Sequence, residues 1–515
     1  MSLVLDGKSL RVNDVVRVAR SIDNKIEQID ISDDAWNRIK KCRAFVENEI
    51  EKGTTMYGVN TGIGELAEVR LPDDDIVEFQ ANLMRSHAAG VGEPFAIPVV
   101  RAAMISRINV HCNGNSGLRP IIVQTLVDML NKGVTPIVPM SGSVGACGDL
   151  APMAHIGLVV MGESEAWYNG EIMPGSVAMS RAGIEVQVFQ ARDGLAFING
   201  SNVICGFGCL ELEDIFKWIK IHEITASLTF ETLNVNPLFL DPKIHIARGF
   251  PGQIESSDNI RKITEDSEIL YTEALGKKKV QDSYSLRCTP QIVGTARDAY
   301  RYTHEQYTIE LNGSVDNPLF FPDEEQYIAG GNFQGTPLAI PMEMLATSIV
   351  ALSVLSERRM NRMMNSHLSQ GLPPFLTKEA GKMSGLMIPQ YTQGALVAES
   401  KILATPAAIQ SIPAAADQED FVSMGMTTAF KTNRIIDNAY YIIAIELIAA
   451  AQAYEFRKPH KIGKGSKAAY DWVRNIIPSL DIDRQINYDI EKIKAALVED
   501  NSLVESVESV IGELA

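Results

Sequence analysis

Residues 142 to 153 read GSVGACGDLAPM, a run that sets a thiol, Cys147, between Ala146 and Gly148 and follows the triplet at once with Asp149. Other side chains with chemistry of their own lie in loop-like segments: Tyr57 in MYGVNTGIG, Ser86 and His87 in RSHAAGVG, Asn199 in GLAFINGSN, Gln281, Tyr284 and Arg287 in QDSYSLRC, Phe333 in GGNFQG, and Glu419 in DQEDFVSMG. These types suit a pocket that moves protons and holds an anion. A phenol or an imidazole serves as acid or base, and a guanidinium fork grips a carboxylate through two parallel hydrogen bonds. Taken one at a time, each has an ordinary structural role. A tyrosine before a glycine turn packs its ring and bonds its hydroxyl locally. A lone thiol is an inert buried group, Arg287 is half of an ion pair, and Glu419 with Asp420 is a solvated pair or a helix cap. GSVGACG has the glycines of a phosphate nest, but no Lys-Ser or Lys-Thr follows, so a nucleotide loop is not expected. Cys205 and Cys209 share a helical face at i and i+4, yet no second His or Cys pair completes a site; they are assigned to the core, and no metal is expected.

Such loops need a rigid scaffold. The 515-residue chain is 46% hydrophobic and 22% charged, the balance of a soluble globular protein with a large core. Its formal net charge of −17 argues against nucleic acid or an anionic membrane as partner, because both repel an acidic surface. Six cysteines form no regular framework, and MSLVLDGKSLRV lacks the charged start and apolar run of a signal peptide. Apolar runs such as 344–355, interrupted by Thr347 and Ser348, are too short to cross a bilayer. A cytoplasmic protein with free thiols is expected.

The first two hundred residues are broken by YGVNTGIGE, AAGVGEPF, NGNSGLRP and KGVTPIVP, which predict a loop-dominated domain with helices such as 34–52 between the breaks. After Ser201 the character changes. CLELEDIFKWIKIHEITASLTFETL, MEMLATSIVALSVLSERRMNRMMN and NRIIDNAYYIIAIELIAAAQAYEF carry apolar residues at helical spacing over wide faces. They predict a bundle of long helices buried within one subunit and between subunits. The residues from Tyr488 onward predict one or two amphipathic helices. The expected organisation is mainly α: residues 1–200 as a domain carrying the Cys147 triplet and the pocket loops, and residues 201–515 as a long-helix domain.

Together these segments resemble the aromatic amino acid ammonia-lyase family. The likeness runs from LDGKSLRVNDVVRVAR to ELIAAAQAYEF, most of the chain. GACGDLAPMAHIGLVVMGE matches the family's signature in nearly every place, and NGSVDNPLFF, GGNFQG and QYTQGALVAE also fit. The resemblance implies the ammonia-lyase architecture, with a central bundle like that of the aspartase and fumarase type, although the GSS loop of those enzymes has no counterpart here. It implies a homotetramer with active sites shared between subunits and an amino acid substrate, with no metal or diffusible cofactor. It also implies a self-made electrophile, a methylidene-imidazolone (MIO), from Ala146, Cys147 and Gly148. In the family the triplet is normally Ala-Ser-Gly: the Gly nitrogen closes on the Ala carbonyl, water is lost, and the central side chain eliminates to leave a methylene. Here Cys147 would lose hydrogen sulfide to give the same methylene, and flexible glycines would let the backbone bend into the ring.

By the same resemblance Tyr57 is the base that takes the substrate's β-proton, which calls for a lowered phenol pKa. Arg287 clamps the carboxylate; Asn199, Gln281, Tyr284 and Phe333 line the pocket, orient carboxylate or amine, and polarise the MIO oxygen; Asp149 assists ring closure. His87 and Glu419 imply the substrate. A carboxylate can bond an imidazole N–H, whereas against a benzene ring it would be buried unpaired at a cost of roughly 1–3 kcal/mol. The pair points to L-histidine going to trans-urocanate and ammonia. Phe421, Gln334 and Asp417 depart from the histidine-using pattern, and NLMRSHAAGVGEPF and GLPPFL resemble tyrosine 2,3-aminomutases. A tyrosine or other aromatic ammonia-lyase or 2,3-aminomutase is therefore the alternative, and a non-catalytic relative with an unconverted triplet is the alternative of another class.

Overall fold

The computed structural model describes residues 2–22 and 25–515. The chain forms two compact units, one of Met1–Glu213, Thr303–Glu343 and Pro406–Phe430, the other of Asp214–Tyr302, Met344–Thr405 and Lys431–Ala515. This interleaving replaces the single cut at residue 200. The reason is that the four longest helices, Asn202–Thr232, Thr289–Leu311, Thr336–Met364 and Gly425–Glu455, each contribute residues to both units. The chain passes from one unit to the other inside helices, where no linker composition marks the change.

The first unit is more helical than its density of glycine and proline suggests. Ile97–Cys112 has Pro98 in its first turn and is buried continuously from Val99 to Cys112. A helix without a polar face has no amphipathic period to read in the sequence. Pro120–Lys132 starts on its proline, and Gly133 ends it at φ +79°, the usual placing of proline at the start and glycine just past the end. The Gly and Pro signals thus mark helix ends more than loops. Short strands complete the unit: Leu3–Leu5 pairs in parallel with Ile29–Ile31, Val91–Pro94 pairs antiparallel with Pro139–Ser141, and Leu319–Phe321 pairs with Gln326–Ile328. Thr135–Pro136, Glu165–Tyr168 and Glu171–Pro174 make a small three-stranded sheet.

The second unit contains no strand among the described residues. Its long helices bury apolar faces, and the charged groups at their centre are paired. Arg359 grips Glu446 in a fork (Nε–Oε1 2.6 Å, Nη2–Oε2 2.8 Å) while Thr229 Oγ1 donates to the same carboxylate at 2.9 Å. Trp218 is fully buried, and its Nε1 donates to the Ala439 carbonyl at 2.9 Å. Pairing of this kind is what makes buried charge tolerable. The predicted amphipathic ending is present as Asn487–Glu499 and Ser502–Ile511. Thr336–Met364 and Gly425–Glu455 are, as helices, long and apolar enough to cross a membrane, which corrects the reading from unbroken apolar runs; 67% and 89% of an apolar 18-residue stretch of each are buried within the chain itself. All six cysteines are free, and Cys205 and Cys209 are buried as expected of core residues.

Glu231, at the end of Asn202–Thr232, accepts from the Gly463 N–H at 2.6 Å, and burial pushes its carboxyl up to about 7. The folded state therefore holds this proton more tightly than the unfolded chain. Its stabilising effect is complete below the ordinary carboxylate range and is lost as pH rises through about 7. The slope is up to about 1.4 kcal/mol per pH unit for one group. Glu231→Gln keeps the acceptor and removes the titration, so its thermal midpoint should fall less between pH 5 and 8 than that of the wild type. Equal slopes for the two proteins would refute this assignment.

Candidate active site

The turn that carries Cys147 lies between the strand Pro139–Ser141 and the helix Leu150–Val160. Gly145 and Gly148 have φ of +76° and +78°. A Cβ on Gly145 would sit 2.0 Å from Ser423 Oγ, and one on Gly148 would sit 2.1 Å from the Gly200 carbonyl carbon. These glycines are required by left-handed backbone and close approach, a stricter demand than flexibility. The turn is pinned to Gly200 in both directions: the Asp149 N–H donates to the Gly200 carbonyl at 2.8 Å, and the Gly200 N–H donates to the Cys147 carbonyl at 3.1 Å. The Asp149 carboxyl is fully buried, accepting from Ser143 Oγ at 3.0 Å and from the Ile204 N–H, in the first turn of Asn202–Thr232, at 2.8 Å. Burial pushes it up to about 7.

Cys147 opens onto a cavity of about 450 Å³ lined by Tyr57, His87, Leu150, Leu195 and Glu419 among others. A second cavity of about 440 Å³ shares Tyr57, Cys147 and Glu419 and adds Asn317 and Phe333. Both are of the size that holds a small ligand. The Cys147 thiol donates to Glu419 Oε1 at 3.2 Å; burial first, and then the Glu419 charge, push the thiol up. His87 is half-buried, with Nδ1 2.9 Å from the Leu83 carbonyl. A carbonyl only accepts, so in that contact Nδ1 carries the proton and the neutral ring presents Nε2 as an acceptor. Burial lowers the His87 pKa, partly offset by the Leu83 carbonyl and by Glu419.

Tyr57 does not show the lowered phenol that its expected role calls for. Burial raises it, and the nearby Cys147 and Glu419 raise it further, against an opposing hydrogen bond of 3.0 Å from the Gly64 N–H and the more distant charge of Arg192. The acids of this cavity therefore oppose a phenolate. Asn199 is buried beside the turn, where Nδ2 donates to Asp316 Oδ1 at 3.1 Å and to the Asn317 carbonyl at 2.9 Å.

Three expected residues fall elsewhere. Gln281, Tyr284 and Arg287 belong to the second unit and line another cavity, of about 400 Å³, with Asp282 and Arg362. There Arg287 lies over the Tyr284 ring (4.8 Å to its centroid), and its Nε donates to the Asp282 carbonyl at 2.9 Å. The departures from the histidine pattern resolve differently. The Gln334 carbonyl oxygen accepts from Thr336 N and Oγ1 at 3.3 and 2.9 Å, at the start of Thr336–Met364, so it serves the helix end. Phe421 and Asp417 are exposed.

Sequence reasoning missed Leu150 and Leu195 as cavity walls and the buried cations beneath Asn199. Leucines in apolar helices carry no signal that separates wall from core. Arg192 is fully buried, donating to Asp316 Oδ2 at 2.8 Å and to the Ser116 and Pro318 carbonyls at 2.8 and 3.0 Å. The one available signal was the NGSVDNPLFF segment, which contains Asp316.

The pattern of the family described as aromatic amino acid lyase matches residues 10–475. Over 511 residues the chain is 43% identical to a histidine ammonia-lyase of Natranaerobius thermophilus, with 99% of each chain covered. Among solved structures, histidine ammonia-lyase from Trypanosoma cruzi is similar with a TM-score of 0.91 at 34% identity, covering 100% of this chain and 96% of that one. Tyrosine aminomutase from Streptomyces globisporus is similar with a TM-score of 0.93 at 34% identity, covering 100% of both chains.

The approach of Gly148 to Gly200 sets a prediction. Gly148→Ala must both adopt a left-handed backbone and displace the Gly200 peptide, so it should destabilise the chain by about 2 kcal/mol or more in urea unfolding. A loss below about 0.5 kcal/mol, the range of an ordinary surface change, would mean that the turn does not close on Gly200.

Proposed function

The chain belongs to the aromatic amino acid lyase family, and on that premise we propose that it removes ammonia from L-histidine without oxidation, releasing trans-urocanate. The observation that carries this reading is that His87 and Glu419 line the same cavity as Cys147 and Tyr57. His87 Nε2 and the Glu419 carboxylate both accept, so an imidazole ring with its N–H finds a partner between them. A phenyl ring would leave the carboxylate unpaired, at roughly 1–3 kcal/mol.

The turn fits the MIO implied by the family resemblance. Gly145 and Gly148 hold a backbone that a Cβ would block, Cys147 is half-buried and opens onto the cavity, and Asp149 lies directly behind with a carboxyl that burial pushes up to about 7. Ala146, Cys147 and Gly148 would form the group, Cys147 giving up hydrogen sulfide. The chemistry such a group supplies is electrophilic capture of the substrate's amine, which makes nitrogen a better leaving group. Tyr57 takes the β-proton as the phenolate, its own proton having first passed to solvent. The acidification it needs comes from cations brought to the cavity, namely the substrate's own ammonium and Arg287 of a neighbouring copy in a homotetramer. Arg287 grips the substrate carboxylate, with Gln281 and Tyr284 beside it. Asn199 and Phe333 orient amine and ring. The enzyme acts as a soluble, cytoplasmic protein without a metal.

A second reading has a specific basis. The His87 acceptor also suits a phenol O–H, and the chain is similar over its full length to a tyrosine aminomutase. A 2,3-aminomutase would use the same residues and return ammonia to the β-carbon, so product analysis separates the two.

Purified protein incubated with L-histidine should release ammonia and urocanate in equal amounts; ammonia only from another amino acid, or a β-amino acid as product, would overturn the proposal. Tyr57→Phe should lower kcat by about 10²–10⁴-fold with the fold intact, as loss of a positioned base does. Glu419→Gln should raise KM for histidine more than it changes turnover of tyrosine or phenylalanine.

A further inference from the structure

The segment 199–201 is the floor on which the 147–149 turn rests, and it is held from two sides by residues at and after the end of the helix Thr289–Leu311. On one side Asn199 Nδ2 bonds Asp316, which is itself gripped by Arg192 at 2.8 Å and lies 3.6 Å from Arg107. On the other side Ser201 Oγ donates to Glu310 Oε1. Between these two anchors Gly200 makes its paired backbone bonds to Cys147 and Asp149. The Asp316 side continues into Asn317, which lines the second cavity. The Glu310 side lines neither cavity, yet it sets a largely enclosed carboxyl against a serine next to the turn.

The titratable groups that face Glu310 are Asp149, Cys205 and Tyr307. All are acids. Burial, and then the Asp149 charge, push Glu310 up to about 7 against the Ser201 hydrogen bond, while Asp149 is also pushed to about 7. A carboxyl kept in such company gains nothing from its charge. What it offers is an acceptor oxygen at a fixed place.

We propose that Glu310 is a positioning residue for the Cys147 turn: through Ser201 it fixes the place of Gly200, on which Gly148 and Asp149 close. The role in electrophile formation rests on the reading that residues 146–148 convert to an MIO. The backbone role does not.

Three variants of the full chain test the proposal, each read by amide hydrogen exchange at Gly200 and Asp149 and by the mass of the peptide carrying residues 146–148. Glu310→Gln keeps the acceptor oxygen and should match the wild type in both measurements. Glu310→Ala and Ser201→Ala remove the bond from opposite ends. Each should speed exchange of both amides about tenfold, the equivalent of one lost hydrogen bond, and each should slow the loss of one water and one hydrogen sulfide from the peptide. Folded Glu310→Ala or Ser201→Ala with wild-type exchange at both amides would overturn the proposal. So would Glu310→Gln exchanging as fast as Glu310→Ala, since the charge and not the acceptor would then matter. Should Glu310→Ala fail to fold, the contrast between Ser201→Ala and Glu310→Gln decides. A wild-type peptide that keeps an alkylatable Cys147 would defeat the electrophile reading, and the exchange comparison would still decide the place of Glu310.

Discussion

Two peptide units, at Gly148 and Gly200, approach so closely that a methyl group on Gly148 would lie 2.1 Å from the Gly200 carbonyl carbon. That approach is possible only because Gly148 lacks a Cβ and takes a left-handed φ. It brings the Asp149 amide onto the Gly200 carbonyl and the Gly200 amide onto the Cys147 carbonyl. The Asp149 carboxyl then meets the free N–H groups at the start of Asn202–Thr232 through Ile204, a place where a helix terminus leaves donors unsatisfied. One close contact thus joins the Cys147 turn, the floor beneath it and a long helix.

The charges are arranged around this contact in layers. Above it, acids face the cavity: Glu419 accepts from the Cys147 thiol, and burial keeps both Tyr57 and Cys147 in their protonated forms. Below it, Arg192 and Arg107 hold Asp316, which holds Asn199. The overall charge of −17 predicts none of this local order; the cations that matter are fully buried and each is matched to carbonyls or a carboxylate. Gln281, Tyr284 and Arg287 belong to the other unit, where Arg287 stacks on the Tyr284 ring and bonds the Asp282 carbonyl.

Much of this was legible in the residues, and the failures have common causes. The long helices were visible because their apolar residues recur at helical spacing, as in the stretch that became Asn202–Thr232. Ile97–Cys112 was not, because a helix buried all round has no polar face to set a period. Proline and glycine were read as loops at Pro120 and Gly133, where they begin and end a helix. At the site, Cys147, Tyr57, His87 and Glu419 were identified and do line one cavity. Gln334 stood out as a departure from the histidine-using pattern, and its side-chain oxygen accepts at the start of a helix. Glu310 went unnoticed because an acid in a helix has nothing to mark it until Ser201 is seen against it.

The sequence by itself determined the kinds of group available and the backbone freedom at each point. It placed glycines where only glycine fits, a thiol between small residues, and apolar periods that require a helical core. These are local properties, set by side-chain chemistry and by steric limits on φ and ψ. Only the tertiary structure decided which groups share a cavity, which carboxyls lie beside one another, and in which direction each proton equilibrium moves. Tyr57 shows the difference. The resemblance implied a base, and its burial beside Cys147 and Glu419 makes the phenol harder to ionise. Such shifts depend on desolvation and on distances between residues far apart in the chain, from 57 to 147 to 419, and folding alone sets those.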